Sequence, residues 1–237
     1  MDGDIKSEEQ GTKYGLNIPE KFIDENLTHL APLISDIKKG NQTRPVTVFD
    51  FGGGNGLMAL SLVSALKEHD IHVTIVDEDK SKFVQRKNVD NVHSNILTFD
   101  RDQAMDYSIM RNIFHYNLVD HNKDILQKVL SLTKRNLLFV NMFIDESEEG
   151  LYKRHEKLIK KWFGSYRNFP TLAMLEKTIK TSGWNILSKD LIIKNNFDFI
   201  DFSKRRYNLS DEQVLELIDE GLDKINVDRT AIFWCGK

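Results

Sequence analysis

An acid closing an apolar run, followed by glycine at every second position, is the pattern in this chain with the clearest chemical use. It lies in Val46-Thr-Val-Phe-Asp-Phe-Gly-Gly-Gly-Asn-Gly-Leu, where Asp50 precedes Gly52, Gly54 and Gly56. Glycine reaches positive φ without steric cost and offers bare backbone to a ligand. Amides opening the next helix then face that ligand. A dinucleotide site needs its third glycine where this chain has Leu57, which disfavours a nicotinamide-dependent oxidoreductase. Asp77, about twenty residues past the last glycine, ends the next β-like run and could accept hydrogen bonds from ribose hydroxyls. In Asp77-Glu-Asp-Lys it could equally be a solvated acid at a helix start.

Strands alternating with helices must hold these residues. A helix is expected over Ile18–Ile37, broken near Pro32 and closed by Lys38-Lys39-Gly40. Strand-like runs follow at Thr47–Phe51, His72–Val76, Val92–Ile96, Tyr107–Phe114 and Leu137–Phe143. Between them, Leu57, Leu60, Val63 and Leu66, and later Ile125, Leu126, Val129 and Leu132, recur at helical spacing. This alternation predicts a parallel sheet covered on both faces. Beyond it the pattern predicts a helix over Thr171–Thr181 ended by Gly183, and strands at Ile186–Ile193 and Thr230–Cys235. It also predicts a capping-box helix opening at Ser210-Asp-Glu-Gln. The last two strands, joined without a crossover, are expected to pair antiparallel.

The form Asp-x-Gly-x-Gly-x-Gly, with the acid at Asp77, resembles class I S-adenosylmethionine-dependent methyltransferases. Met110-Arg-Asn-Ile-Phe-His-Tyr-Asn is similar to the histidine-bearing segment after strand 4 in small-molecule members, many O-methyltransferases among them. The resemblance spans residues 46–237. It implies an α/β fold with a doubly wound, seven-stranded, mostly parallel Rossmann-like sheet, an antiparallel C-terminal strand and helical lid insertions. Residues 1–45 would form an N-terminal helical extension or lid on a single methyltransferase domain, 46–237, with caps inserted at about 144–169 and 197–228.

The resemblance further implies S-adenosyl-L-methionine as cofactor, bound by Asp50, Gly52, Gly54, Gly56, Asp77, Asn95, Ile96 and Arg111. Asn95 stands where the family usually has an acid, and an amide can still exchange hydrogen bonds with an adenine edge. Ile96 would pack on the base, and Arg111 would reach the methionine carboxylate. His115 is the candidate catalytic base, since an imidazole with an ordinary pKa of about 6.5 suits proton removal near neutral pH. The implied activity is methyl transfer to oxygen or nitrogen of a small-molecule acceptor. The alternatives are a non-catalytic binding or regulatory subunit and a nucleic-acid methyltransferase.

Composition narrows these choices. The 237 residues carry a net charge of −3, which gives no general attraction to polyphosphate. No Asn/Asp-Pro-Pro-aromatic segment follows strand 4. Both features argue against a nucleic-acid partner. Cys235 is the only cysteine, so neither a disulfide framework nor a cysteine-based metal cluster is expected. No run approaches the ~18 apolar residues of a membrane span, and the polar, acidic start is unlike a secretory signal. A cytoplasmic protein is expected. His29, His69, His72, His93 and His121 lack metal-ligand spacing and read as surface or turn residues. Glu148-Glu149 reads as a solvated pair. Leu151, His155, Leu158, Ile159 and Trp162 share one helical face, so the basic, aromatic stretch around them predicts an amphipathic helix docked on the domain.

Overall fold

The computed structural model describes residues 20–40, 43–83, 85–164 and 168–237, with the side chains of residues 20–25 left aside. Helix α1 (Glu20–Lys39) leads into β1 (Val46–Phe51), α2 (Leu57–Ala65), β2 (Ile71–Asp77), β3 (Val89–His93) and β4 (Tyr107–Arg111). Then come α3 (His121–Leu132), β5 (Asn136–Met142), α4 (Glu149–Phe163), α5 (Leu172–Thr181) and β6 (Asn185–Asn195). Helices α6 (Phe199–Tyr207) and α7 (Asp211–Asp219) precede the last strand, β7 (Val227–Gly236). The seven strands form one sheet in the order β3-β2-β1-β4-β5-β7-β6. Pairings among the first five strands are parallel, and β7 runs antiparallel to both β5 and β6.

Strand alternation sorts the core into two layers. On one face Val46, Val48, Ile71, Val73, Ile75 and Ile109 pack with α2 and with Leu30, Leu33 and Ile37 of α1. On the other, Phe49, Phe51, Met110 and Phe139 pack with α3 and α5. Burial on both faces explains why β1 lacks a polar side. Helix α2 is apolar nearly all round because α1 covers the side turned away from the sheet. The same packing corrects the expected break at Pro32. Helix α1 runs through that residue, and buried Leu30 and Leu33 on either side hold the turn that the missing amide weakens.

Two strand boundaries also differ from expectation. Strand β3 lies earlier, at Val89–His93, and β4 stops at Arg111. Asn112 ends β4 by adopting the left-handed conformation, φ 54°, open to asparagine at modest cost. Its side chain accepts from the Met142 amide at 3.0 Å, which ties the strand end to β5. Helix α6 escaped sequence reading. Together with α4 and α7 it encloses a smaller core of Ile144, Tyr152, Leu158, Phe199, Leu209, Leu217, Leu222 and Ile225. The predicted amphipathic face of α4 is the one buried there, and the predicted capping box at Ser210 and Gln213 is formed.

Candidate functional site

The strand order reverses direction between β1 and β4, the topology that in open α/β sheets leaves a crevice at the carboxyl ends of the strands. Open α/β sheets bind ligands at that switch point. The glycine turn fills its β1 side. Gly52, Gly54 and Gly56 have φ of 64°, 53° and 69°. A Cβ on Gly52 would lie 1.9 Å from Ile113 Cδ1, so the β4 connection packs directly on the turn. A Cβ on Gly54 would meet only Lys82, at 3.9 Å, and would project into open space. Gly53 falls outside the every-second-position spacing and has no positive φ. Its Cβ position is 2.7 Å from an Asp50 carboxylate oxygen and 3.0 Å from Ile75, so tertiary packing demands glycine there.

Asp77 and the turn are joined directly. The Gly54 amide donates to Asp77 Oδ2 at 2.8 Å, and the Asp79 amide donates to Oδ1 at 2.8 Å. At the end of β3, Asn95 donates to the Glu78 carboxylate and accepts from the Leu97 amide at 2.8 Å, so it both bridges strand ends and shapes the 95–99 turn. Ile96 is partly buried against the layer containing Phe99. Glu78 was not singled out in the sequence. As an exposed acid in an acidic run it offers no pattern, and only the register of β2 beside β3 brings it to Asn95.

Asp50 lies beneath the turn, 1% exposed, and neither carboxylate oxygen makes a hydrogen bond among the described residues. Burial raises its pKa to about 7; the Ala59 amide, near but outside hydrogen-bonding geometry, and the Arg111 charge oppose the rise, and Asp77 adds to it. Arg111, at the end of β4, donates to Asn26 of α1 at 2.9 Å. Asn26 is itself buried, so α1 reaches the crevice as well as the core.

His115 sits in the 3₁₀ turn Ile113–Tyr116 that follows β4. It is 6% exposed, and its Nδ1 is 2.7 Å from the Asn168 carbonyl oxygen. A carbonyl only accepts, so Nδ1 carries the proton and a neutral ring keeps its lone pair on Nε2. The Asn168 amide donates back to the His115 carbonyl at 3.1 Å, and Phe169 packs on the imidazole at 5.1 Å. The fold therefore gathers the nine sequence-selected positions around the carboxyl ends of β1 to β4, with His115 turned toward the segment ahead of α5.

No protein-family model matches the sequence, and no curated protein matches it either. Solved structures do match. A Bacillus halodurans protein assigned as a methyltransferase superposes with a TM-score of 0.69 at 14% identity, over 87% of this chain and 99% of that one. A cyclopropane synthase from Mycobacterium tuberculosis gives 0.58 at 14% identity, over 88% and 84%. Magnesium protoporphyrin IX methyltransferase from Synechocystis, solved with bound S-adenosylhomocysteine, gives 0.56 at 11% identity, over 92% and 87%. The fold is that of class I methyltransferases. Within it, the seven-stranded sheet with β7 inserted antiparallel is the expected architecture, while the names of these proteins differ, one a cyclopropane synthase and another a magnesium protoporphyrin IX methyltransferase.

Other sequence readings change in place. His29 is buried, not a surface residue. Glu148 is not a free solvated acid: it accepts from Arg229 at 2.6 Å and closes a capping box with Asp145 ahead of α4. Among the described residues no group of three His, Cys, Asp or Glu side chains could hold a metal ion, and no helix is long and apolar enough to cross a membrane.

Proposed function

We propose that this chain binds S-adenosyl-L-methionine in the β1–β4 crevice and transfers its methyl group to oxygen or nitrogen of a small-molecule acceptor. The observation that carries the reading is the cradle made by three left-handed glycines and the Asp77 carboxylate that anchors Gly54. The residues fit the cofactor. Each Asp77 oxygen accepts one amide and keeps a second lone pair for a ribose hydroxyl. Gly54 leaves space where any side chain would intrude. The buried Asp50 carboxyl, without a hydrogen-bond partner among the described residues, supports a cationic group being held nearby. Asn95 and Ile96 would serve the adenine end and Arg111 the methionine end.

When bound, S-adenosylmethionine supplies a methyl group activated by its positive sulfur. The protein has then to align the acceptor, exclude water and remove a proton where the nucleophile carries one. His115 is assigned that proton. Its Nδ1–H is fixed by Asn168, which leaves Nε2 as the accepting atom, and Phe114 and Phe169 help to keep water out. The caps 144–169 and 197–228 would carry acceptor choice. An N-terminal lid, so far as it involves residues 1–19, lies outside the described residues.

Calorimetry tests the assignment. S-adenosylhomocysteine should bind, with NAD and NADP far weaker, and Asp77→Ala should weaken binding by ~1.5–3 kcal/mol, the scale of hydrogen bonds to a charged group. Tight NADH binding with no response to S-adenosylhomocysteine would overturn it. With an acceptor in hand, His115→Ala should lower turnover roughly 10²–10⁴-fold while cofactor affinity stays put. Turnover within a few-fold of the parent would reduce His115 to a pocket residue.

A further inference from the structure

The connection leaving β4 and the helical cap share an apolar rim that neither core uses. Tyr116, Leu118 and Val119 are 49%, 50% and 42% exposed, and Phe163, at the end of α4, is 44% exposed. Two adjacent residues of α6 link the turn to the cap. The Arg206 guanidinium of α6 donates to the Tyr116 hydroxyl. Its neighbour Tyr207 stacks on Phe163 with ring centroids 6.1 Å apart. The rim also lies close to the crevice. Ile113, which abuts Gly52, opens the 3₁₀ turn that ends at Tyr116, an axial rise of about 6 Å. Exposed apolar side chains gathered beside a cleft are candidates for a binding surface.

A single charge without a carboxylate partner among the described residues borders Tyr116. Lys204 and Arg205, on the same helix, pair with Asp211 and Asp201. Arg206 has no carboxylate partner among the described residues and is held by a neutral phenol. A guanidinium placed this way keeps a planar fork of donors for a bidentate acceptor.

We propose that the rim is an acceptor-binding site for an apolar molecule that carries a carboxylate. The apolar body lies on Tyr116, Leu118, Val119 and Phe163, and the carboxylate pairs with Arg206. The far end of the molecule is left to reach inward toward Gly52. Naming the ligand an acceptor rests on the methyl-transfer reading above; its binding chemistry does not.

Decanoate and decylamine, titrated with S-adenosylhomocysteine present, separate the charge from the apolar body. Trp162 reports on the rim, because its ring packs edge-on against Phe163 at 6.3 Å while Trp184 and Trp234 are buried. Decanoate should saturate the fluorescence change and bind at least ~10-fold tighter than decylamine, as expected of a charge-assisted pair. Arg206→Gln should bring the two ligands level without changing S-adenosylhomocysteine affinity, and Val119→Asn, which adds polarity without charge, should weaken both. Equal binding of the two by the parent, or a preference that survives Arg206→Gln, would overturn the proposal. So would sedimentation showing a dimer that Phe163→Ser dissociates, since a second copy would then cover the rim. Decanoate binding that persists while S-adenosylhomocysteine fails to bind would sink the methyl-transfer reading alone.

Discussion

The two ends of β1 and β4 each hold a buried aspartate, and the fold treats them in opposite ways. At the amino end, Asp106 accepts from both Arg44 nitrogens at 2.9 and 2.5 Å and from the Thr47 amide and hydroxyl at 3.0 Å each. Beside it, Tyr107 donates to Asp36 at 2.8 Å and accepts from Arg135 at 3.1 Å. Burial pulls the Asp106 pKa upward, but the Arg44 and Thr47 hydrogen bonds outweigh it and hold the carboxyl below its ordinary value. At the carboxyl end, Asp50 is as buried but makes no hydrogen bond among the described residues, and its pKa is raised to about 7. A satisfied network stabilises the fold, whereas an unsatisfied buried carboxyl costs stability in the absence of a partner. One end is therefore built for stability, and the other leaves a buried carboxyl unpaired beneath the proposed cofactor site.

Substitutions at the two ends should separate these roles. The largest effect is expected of Gly54→Val, whose side chain enters the space above the turn and whose branched Cβ is strained at φ 53°. S-adenosylhomocysteine binding should be lost in calorimetry, while circular dichroism still shows a folded protein. A mutant that binds normally would empty the crevice of its assigned ligand.

Asp106→Asn should do the reverse. It should lower stability by about 2 kcal/mol, the scale for hydrogen bonds to a charged group, and leave S-adenosylhomocysteine affinity unchanged. Its pH signature follows from a depressed folded pKa. The native stabilisation is present above the unfolded value and is lost as pH falls through the folded one. The Tm gap between parent and mutant should therefore be widest near neutrality and close in acid.

Asp50→Asn is predicted to give an effect of the opposite sign. A folded pKa near 7, against an ordinary 3.8, means that the native carboxyl favours folding fully only below about 3.8, and that this contribution is lost as pH rises through 7. Without ligand, Asp50→Asn should therefore gain Tm relative to the parent, by a few degrees, between pH 5 and pH 8. Thermal melts at both values, with saturating S-adenosylhomocysteine as a third arm, check this. A gap that does not move with pH would show that Asp50 titrates normally and that the contrast between the two ends is not electrostatic.

Much of this was legible along the chain because it is local. Periodicity fixes strand and helix type over short windows, so the alternating elements, the capping box at Ser210 and the glycine turn were all readable. The left-handed turn needs glycine by backbone sterics alone, and an acid at a strand end is visible as a strand end. Boundaries were less readable where a single residue competes with the pattern, as Asn112 does in ending β4 and as Pro32 fails to do in α1.

What only the tertiary structure decided depends on residues distant in sequence. Gly53 is required by Asp50 and Ile75, and Glu78 becomes a neighbour of Asn95 through the β2–β3 register. The tautomer of His115 is set by a carbonyl 53 positions away. Asp50 and Asp106 are both plain aspartates at the ends of strand-like runs, and nothing within a window of neighbours tells them apart. Desolvation and partner geometry do, and both are properties of the assembled sheet: the first depends on what covers a residue, the second on which side chains the topology delivers to it.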